Sequence, residues 1–123
     1  MNKVAIMQPT YLPWIGYFSL IKKVDTFVFL DSVQFAKRSW QQRNKIKTSS
    51  GEKWLTVPVL SKGKRDQLIK DTMINNESNF CKDHIKSIEF NYCKAKYFKS
   101  ESKSLFDILR SNSDYIADLN IIN

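Results

Sequence analysis

The stretch from Lys3 to Asp31 reads KVAIMQPTYLPWIGYFSLIKKVDTFVFLD, and it decides the fold. Its first part, Lys3 to Met7, is a short apolar run that ends before the breaker Pro9, which predicts a buried strand. Its last part, residues 25–31, is almost continuously apolar, which is typical of a strand covered on both faces.

The segment between these two strands is predicted to be a helix. Thr10 or Pro13 can open it, because proline is tolerated at the first helical position. Its apolar residues recur at helical spacing and form one face, made of Trp14, Tyr17, Phe18 and Ile21. Lys22 and Lys23 suit the negative end of a helix dipole. Strand, helix and strand in about 30 residues form a βαβ unit, which favours a parallel sheet with a right-handed crossover.

After Val33 the pattern changes. Strand-favouring residues at 43–48 and 53–59 flank the turn Ser49–Glu52 and predict an inserted β-hairpin. Leu68 to Ile74 is predicted to form a further short strand. Helical spacing then favours helices from Ser78 through Tyr92, from Ser100 to Arg110, and after Ser113, a candidate N-cap.

Composition and charge limit the class of protein. The chain has 123 residues, of which 42% are hydrophobic and 13% aromatic; this fits one globular domain and excludes a disordered tail. No apolar run approaches the roughly 18 residues of a membrane span, and the start lacks a signal peptide, so a cytoplasmic location is expected. The net charge of +8 indicates either an anionic partner or a basic solvated surface without a ligand. Cys81, Cys93 and His84 lack zinc-ligand spacing, so no metal site is predicted.

The loop from Gln8 to Tyr17 is the first candidate site. It lies between a predicted strand end and a helix start, where α/β proteins bind ligands and helix N–H groups attract anions. Gln8 and Tyr11 are its candidate substrate-binding residues. Gly16 is its only glycine, so a phosphate-cradling glycine loop is absent. The alternative is that the aromatic residues here are simply helix core.

The stretch from Asp31 to Asn44 is the second candidate site, and it should lie beside the first loop. Its candidate substrate-binding residues are amides, cations and one aromatic, namely Gln34, Lys37, Arg38, Trp40, Arg43 and Asn44. Arginine binds phosphate bidentately, and Trp40 can stack on a planar base or a sugar face. The alternative is a solvated hairpin arm without a ligand.

His84 is the single histidine of the chain and the candidate catalytic general base. Helical spacing places it beside Ile88, partly toward the core, which favours a structural, hydrogen-bonded histidine instead. No Ser-His-Asp or Cys-His arrangement can be assembled with it.

Short motifs along the chain carry a family resemblance. They are VAIMQP at 4–9, YLP at 11–13, GYF at 16–18, DTFV at 25–28, DSVQF at 31–35, KRSW at 37–40, RN at 43–44, WLTVPV at 54–59, and the stretch from His84 to Phe98. Together they resemble the N-terminal half of the WbqC-like family of bacterial proteins. Its members are commonly encoded among genes for O-antigen and other surface polysaccharides. Gln42 stands where the family usually carries Asn, and the family's C-terminal half is absent, which predicts a truncated protein.

A more distant resemblance concerns the fold. The order strand, turn with one glycine, helix, and strand ending in Gln-Phe is similar to the adenylate-forming pantothenate synthetases. It implies a Rossmann-like nucleotidyltransferase-type parallel sheet, with an ATP-like nucleotide as candidate cofactor. In those enzymes two histidines flank the glycine and hold the ATP phosphates, whereas Trp14 and Tyr17 stand in those places here. Phosphate binding would therefore pass to Lys37, Arg38 or Arg43, and Gln34 would match a substrate-contacting glutamine.

These inferences predict an α/β fold in which residues 1–123 are a single domain, the N-terminal portion of a WbqC-like domain, with an inserted hairpin and a helical C-terminal part. The predicted function is that of a transferase or ligase acting on a sugar or sugar nucleotide in O-antigen or surface polysaccharide biosynthesis. Acyl or aminoacyl transfer to an amino sugar is the candidate reaction. The expected partner is an anionic small molecule such as a nucleotide or sugar nucleotide. The alternatives are a non-catalytic nucleic-acid-binding module and an inactive truncated family member.

Overall fold

The chain begins with a βαβ unit in the computed structural model, which describes residues 1–122. Strand β1 covers Val4–Met7, helix α1 covers Ile15–Lys23 and strand β2 covers Thr26–Phe29. The two strands pair in parallel, with Ile6 opposite Val28. Their carboxyl ends therefore lie at the same edge of the sheet, where the two candidate loops begin.

Helix α1 covers one face of this two-stranded sheet. The Tyr17 side chain is buried, and its ring packs edge-on against Phe27 with 5.4 Å between the ring centroids. Its hydroxyl donates to the Gln8 carbonyl at 2.9 Å. This single tyrosine thus ties the helix to the sheet and to the loop that follows β1.

The outer face of the sheet corrects the expectation that β2 is covered on both faces. Val4, Ile6 and Val28 are 57%, 59% and 40% exposed. Burial alternates along each strand because successive side chains point to opposite faces, and α1 covers only one of these faces. The continuous apolar run predicts a strand correctly but does not show which faces are covered.

The predicted hairpin is confirmed with a tighter turn. Strand β3 covers Arg43–Thr48 and strand β4 covers Gly51–Thr56, and they pair antiparallel. Thr48 lies opposite Gly51, so only residues 49–50 form the turn. Gly51 has a φ of 119°, a conformation that glycine adopts without steric cost, which lets the ladder start at this residue.

The strand predicted between Leu68 and Ile74 is wrong. Ile69–Asp71 form one turn of 3-10 helix, and isolated bridges join Leu68 to Gln34 and Ile74 to Val59. The two bridges go to different partners, so no continuous ladder forms. Ile69 is nevertheless fully buried, which explains the strand-like apolar pattern.

Three helices complete the chain: α2 at Phe80–Tyr92, α3 at Phe98–Leu109 and α4 at Ile116–Ile122. The last helix begins later than the Ser113 cap predicts, because Tyr115 bridges Met73 and the Ile116 N–H donates to the Thr72 carbonyl. None of the helices within residues 1–122 combines the length and the apolar character needed to cross a bilayer.

The main core lies between the hairpin, the 3-10 turn and helices α2 to α4. Its buried members include Leu55, Val57, Ile69, Ile85, Phe106, Ile116 and Leu119. The parallel sheet contributes no buried residue to this cluster, whereas the fully buried Tyr11 belongs to it. The architecture is therefore mixed α/β, with a two-stranded parallel sheet, an antiparallel hairpin and four α-helices in the described residues.

Candidate functional site

The two candidate loops meet at the carboxyl ends of β1 and β2, as expected. The backbone N–H of Tyr11 donates to the Trp40 carbonyl at 2.9 Å, and the Asn44 side-chain amide donates to the Tyr11 carbonyl at 3.1 Å. The Gln41 amide donates to Oε1 of Gln8 at 2.7 Å. These hydrogen bonds link residues 29 to 33 positions apart in sequence and hold the two loops together.

Where the loops meet they enclose a cleft of about 460 Å³, called here the aromatic cleft. Its walls are Met7, Thr10, Pro13, Trp14, Tyr17, Trp40 and Asn44, and none of these side chains is charged. Trp14 and Trp40 are 69% and 54% exposed. A second depression of about 380 Å³ shares Met7, Thr10 and Trp40 with the cleft and also includes Gln8. Two large apolar rings therefore stand open to solvent across a concave, neutral surface.

A stack of side chains on the hairpin supports Trp40. Its ring centroid lies 5.6 Å from that of Trp54 on β4. The Arg43 guanidinium lies 3.9 Å from the Trp54 centroid, and the Lys45 ammonium lies 4.9 Å from it. Each cation–π contact at such a partly exposed site contributes about 0.5–1 kcal/mol. The Trp54 ring therefore packs against Trp40 and against the face of the Arg43 guanidinium.

The backbone of both loops is strained. Leu12 and Arg38 have φ values of 46° and 58°, in the left-handed region that costs a non-glycine residue about 1–2 kcal/mol. Two of the three non-glycine residues with positive φ in the described chain lie in these loops. The Arg38 N–H is held by Oε1 of Gln42 at 3.0 Å. Strain of this kind clusters at functional sites, so its position supports a binding role for the loops.

His84 and Tyr11 lie inside the core. Tyr11 is fully buried and His84 is 5% exposed. Their Oη and Nδ1 atoms are 2.8 Å apart, and Nε2 of His84 lies 3.1 Å from the Thr56 carbonyl. Since a carbonyl only accepts, Nε2 carries the proton and Nδ1 accepts from the Tyr11 hydroxyl.

Burial controls the ionisation of this pair. It lowers the pKa of His84 to about 4, against the opposing influence of the Thr56 hydrogen bond, and it raises the pKa of the Tyr11 hydroxyl. Both groups are therefore neutral near pH 7, and both imidazole nitrogens are engaged. This geometry fits a structural histidine. The roles of His84 as general base and of Tyr11 as substrate ligand stay predictions.

Gln34, Lys37 and Arg38 lie outside the aromatic cleft. The Gln34 amide donates to the Arg65 carbonyl at 3.1 Å, and Lys37 lines a separate depression beside the loop 61–65. Of the predicted binding residues, Trp40 and Asn44 line the aromatic cleft and Gln8 lines the depression next to it. The binding roles of all these residues stay predictions.

Trp14, Trp54 and Thr10 belong to the site but were not among the binding residues selected from the sequence. Trp14 immediately precedes α1, Trp54 supports Trp40, and Thr10 lies in the cleft wall. Oγ1 of Thr10 is buried and has no hydrogen-bond partner within residues 1–122. The sequence carried one signal for this part of the site. In strand β4 the large apolar Trp54 lies on the same face as Glu52, which is exposed, whereas the buried Leu55 lies on the opposite face.

Gly16 is required by the position of Trp14. A Cβ added at Gly16 would overlap the six-membered ring of the Trp14 indole, which lies over this part of α1. We expect Gly16→Ala to displace the indole and reshape the cleft, although alanine favours the helix itself by about 1 kcal/mol. The indole N–H resonances report the displacement, with Ser19→Ala on the same helix as the control. An unchanged Trp14 resonance in Gly16→Ala would contradict this position of the ring.

The fold and the cleft together define a small α/β protein with an aromatic cleft at the carboxyl ends of a parallel β-pair, the place where open α/β sheets bind ligands. The chain belongs to the WbqC-like protein family, whose family model matches residues 8–122. The family is associated with polysaccharide biosynthesis. The predicted family membership is thereby confirmed.

One curated relative illustrates the match. Over 98 residues the chain is 49% identical to the uncharacterized protein Rv1507c of Mycobacterium tuberculosis (strain ATCC 25618 / H37Rv). The match covers 80% of this chain and 42% of the relative, so the chain spans less than half the length of that protein. No solved structure matches the chain.

Proposed function

We propose that the aromatic cleft binds the sugar part of a sugar or sugar nucleotide, and that the protein acts as a transferase or ligase in O-antigen or surface polysaccharide biosynthesis. The observation that carries this proposal is the pair of exposed rings, Trp14 and Trp40, in the wall of one neutral cleft. An indole face packs well against the apolar C–H face of a pyranose ring. Asn44 donates both N–H groups of its amide to the Tyr11 and Leu12 carbonyls, so it shapes the cleft wall, and its Oδ1 keeps acceptor capacity for a ligand hydroxyl.

The neutral lining supports a sugar or a base rather than a phosphate in this cleft. A site for phosphate alone requires cations or converging N–H donors, and no lysine or arginine lines the cleft. The association of the family with polysaccharide biosynthesis favours the sugar.

A Rossmann-like nucleotidyltransferase-type core and an ATP-like nucleotide form the finer part of the proposal. The βαβ unit with its cleft at the strand ends supports it. Trp14 and Tyr17, on either side of Gly16, line the cleft where the similar enzymes carry phosphate-binding histidines. In this chain the phosphates would therefore contact cations outside the cleft, such as Lys37 or Arg38. The proposed reaction is acyl or aminoacyl transfer to an amino sugar.

The experiment is thermal unfolding and calorimetric titration with a panel of nucleotides, sugar nucleotides and amino sugars. A ligand that binds only the folded state raises the unfolding midpoint, by the equivalent of about 2.7 kcal/mol at a hundred times its dissociation constant. We expect one sugar-containing class to do this. A folded protein that binds no member of the panel contradicts the proposal.

The role of the cleft is tested by Trp40→Ala and Trp14→Ala. We expect each variant to weaken binding of the sugar ligand by about tenfold or more, since a buried aromatic contact contributes about 1 kcal/mol beyond the apolar area it covers. Phe90→Ala is the matched control, because Phe90 is 82% exposed and lies on α2, outside the cleft. An equal loss of ligand affinity in all three variants would show that the weaker binding comes from a less stable fold and not from the cleft.

Two alternatives give different results in the same experiments. A nucleic-acid-binding module binds oligonucleotides with steep salt dependence and little sequence preference. An inactive family member binds the sugar ligand but does not turn it over in any donor and acceptor combination. Either result contradicts the transferase assignment, and only the first also contradicts the sugar cleft.

A further inference from the structure

We propose a second binding site, for a phosphoryl group, in a depression between Lys37 and the loop 61–65. This depression, called here the cationic depression, has a volume of about 480 Å³. It is lined by Phe35, Lys37, Ser61, Gly63, Lys64 and Arg65. It shares no lining residue with the aromatic cleft. Lys37 is also named above as a contact for the phosphates of the proposed nucleotide, so this inference shares that one cation with the proposed function and is argued from the depression itself.

The loop that carries two of these cations is held in a defined shape. The Lys64 N–H donates to the Ser61 carbonyl at 3.1 Å, and Gly63 between them has a φ of 71°, which glycine tolerates best. The Gln34 side-chain amide donates to the Arg65 carbonyl at 3.1 Å. The loop is thereby anchored at its turn and at its end.

The opposite wall is anchored as well. The Phe35 N–H donates to the Gln67 carbonyl at 2.9 Å, and the Phe35 ring is 5% exposed and belongs to the core. Lys37 follows two residues later on the same segment. The three cations therefore stand on backbone that is fixed before a ligand arrives, which lowers the entropy cost of binding.

The charges in the depression have no acidic partner among the residues that the structure describes. The sole ion pair within residues 1–122 joins Lys45 and Glu52, so no side-chain carboxylate of this part of the chain lies within 4.0 Å of Lys37, Lys64 or Arg65. Three like charges around one concavity repel one another, and an anion that enters relieves this repulsion. Because all three side chains are exposed, water and salt screen much of this repulsion, and a bound anion would add a favourable attraction.

The number and type of donors select a phosphoryl group. A phosphate monoester carries a charge of about −1.5 to −2 and three acceptor oxygens, whereas a carboxylate carries one charge. Arg65 offers a planar pair of N–H donors, and the lysines offer compact point charges. The Ser61 hydroxyl adds a neutral donor. A phosphate ester or a diphosphate, free in solution or on a lipid, has the matching chemistry.

The test is titration of the intact chain with inorganic pyrophosphate at low salt, followed by amide NMR shifts and calorimetry. We expect the largest shifts at 35–37 and 61–65, and binding about tenfold or more weaker in the double variant Lys64→Ala/Arg65→Ala. Lys62→Ala is the matched control, because Lys62 is an exposed cation in the same loop that does not line the depression. It should weaken binding by no more than about twofold, as a general charge effect.

Two results would overturn the site: shifts that map elsewhere, or equal losses in Lys62→Ala and in Lys64→Ala alone. The unfolding midpoints of the variants are measured in parallel, and Lys64→Gln, which removes the charge with little change in shape, should reproduce the loss of Lys64→Ala.

Vesicles of phosphatidylcholine with and without phosphatidic acid then separate the two sources of phosphate. Co-sedimentation that requires phosphatidic acid and the Lys64 and Arg65 side chains assigns a lipid phosphate. Pyrophosphate binding without co-sedimentation assigns a soluble one. Because pyrophosphate contains no sugar, its failure to bind leaves the proposal for the aromatic cleft standing.

Discussion

Lowering the pH from neutral to about 4 will reduce the free energy of unfolding by about 3 kcal/mol through His84 alone. The pKa of this buried imidazole is lowered from 6.5 to about 4 in the folded chain, mainly by burial and further by Lys53, while the Thr56 carbonyl and Asp83 oppose the shift. Between these two pKa values the unfolded chain binds a proton that the folded chain does not. The contribution of His84 to the free energy of unfolding is therefore fully present above about pH 6.5 and is lost as the pH falls toward 4.

Urea unfolding across this pH range, with His84→Gln beside the wild type, measures the effect. The variant should be less stable at neutral pH by about 1–3 kcal/mol, because the buried Tyr11 hydroxyl loses its acceptor. It should also show a flatter dependence on pH, since the acidic residues contribute equally to both proteins. The same slope in both proteins would show that His84 is not the source.

Tyr11→Phe is the complementary control. It removes the hydroxyl that donates to His84 and keeps the titrating imidazole. We expect a loss of about 1–3 kcal/mol at neutral pH with most of the acid sensitivity retained. If His84 instead acts as a general base in a folded enzyme, His84→Gln should abolish turnover while ligand affinity is retained.

Asn120→Ala will destabilise the protein by about 2 kcal/mol and loosen the second candidate loop, although residue 120 is far from that loop in sequence. Asn120 is 3% exposed on α4, and its amide donates to the Gln41 carbonyl at 2.8 Å. Gln41 is 5% exposed and in turn accepts from the Ala36 N–H at 3.0 Å and donates to Gln8 at 2.7 Å. The alanine variant leaves a buried carbonyl without its donor, which is the costly part of the change.

Urea unfolding gives the stability loss, and hydrogen exchange at the Ala36 N–H reports the loosening of the loop. Asp118→Ala is the control, since Asp118 is exposed on the same helix and its replacement should change stability by no more than about 0.5 kcal/mol. Unchanged exchange at Ala36 in Asn120→Ala would mean that α4 does not support the loop. A lower free energy of unfolding without faster hydrogen exchange at Ala36 would show that Asn120 stabilises the core but not the loop.

Much of the fold was predictable because its signals are local. The βαβ unit follows from two apolar runs around one amphipathic segment, and the hairpin follows from strand-forming residues around Ser49 and Gly51. The meeting of the Gln8 and Asp31 loops follows from geometry, since the ends of parallel strands lie at one edge. The strand predicted over residues 68–74 failed because its bridges join two different partners, which a local pattern does not show.

The candidate site was predictable in its location and less so in its composition. Trp40 and Asn44 were selected and line the cleft, but Trp14 was equally compatible with helix core until its ring was seen lying over Gly16. The cation–π contact of Arg43 with Trp54 depends on the register of β3 and β4, and that register is a property of the folded hairpin. Residue type alone suggested a phosphate role for Arg43, and this role stays a prediction; only the folded hairpin shows that the guanidinium also lies over the Trp54 ring.

By itself the amino-acid sequence determined the family, the α/β class, the βαβ unit and the edge of the sheet where the candidate site lies. These properties depend on short-range periodicity and on motifs that are read along the chain. Only the tertiary structure decided that His84 pairs with Tyr11, that Asn120 supports Gln41, and that Lys37 meets the loop 61–65. Each of these contacts joins residues far apart in sequence, and their burial and hydrogen bonding exist only once the chain has closed around them.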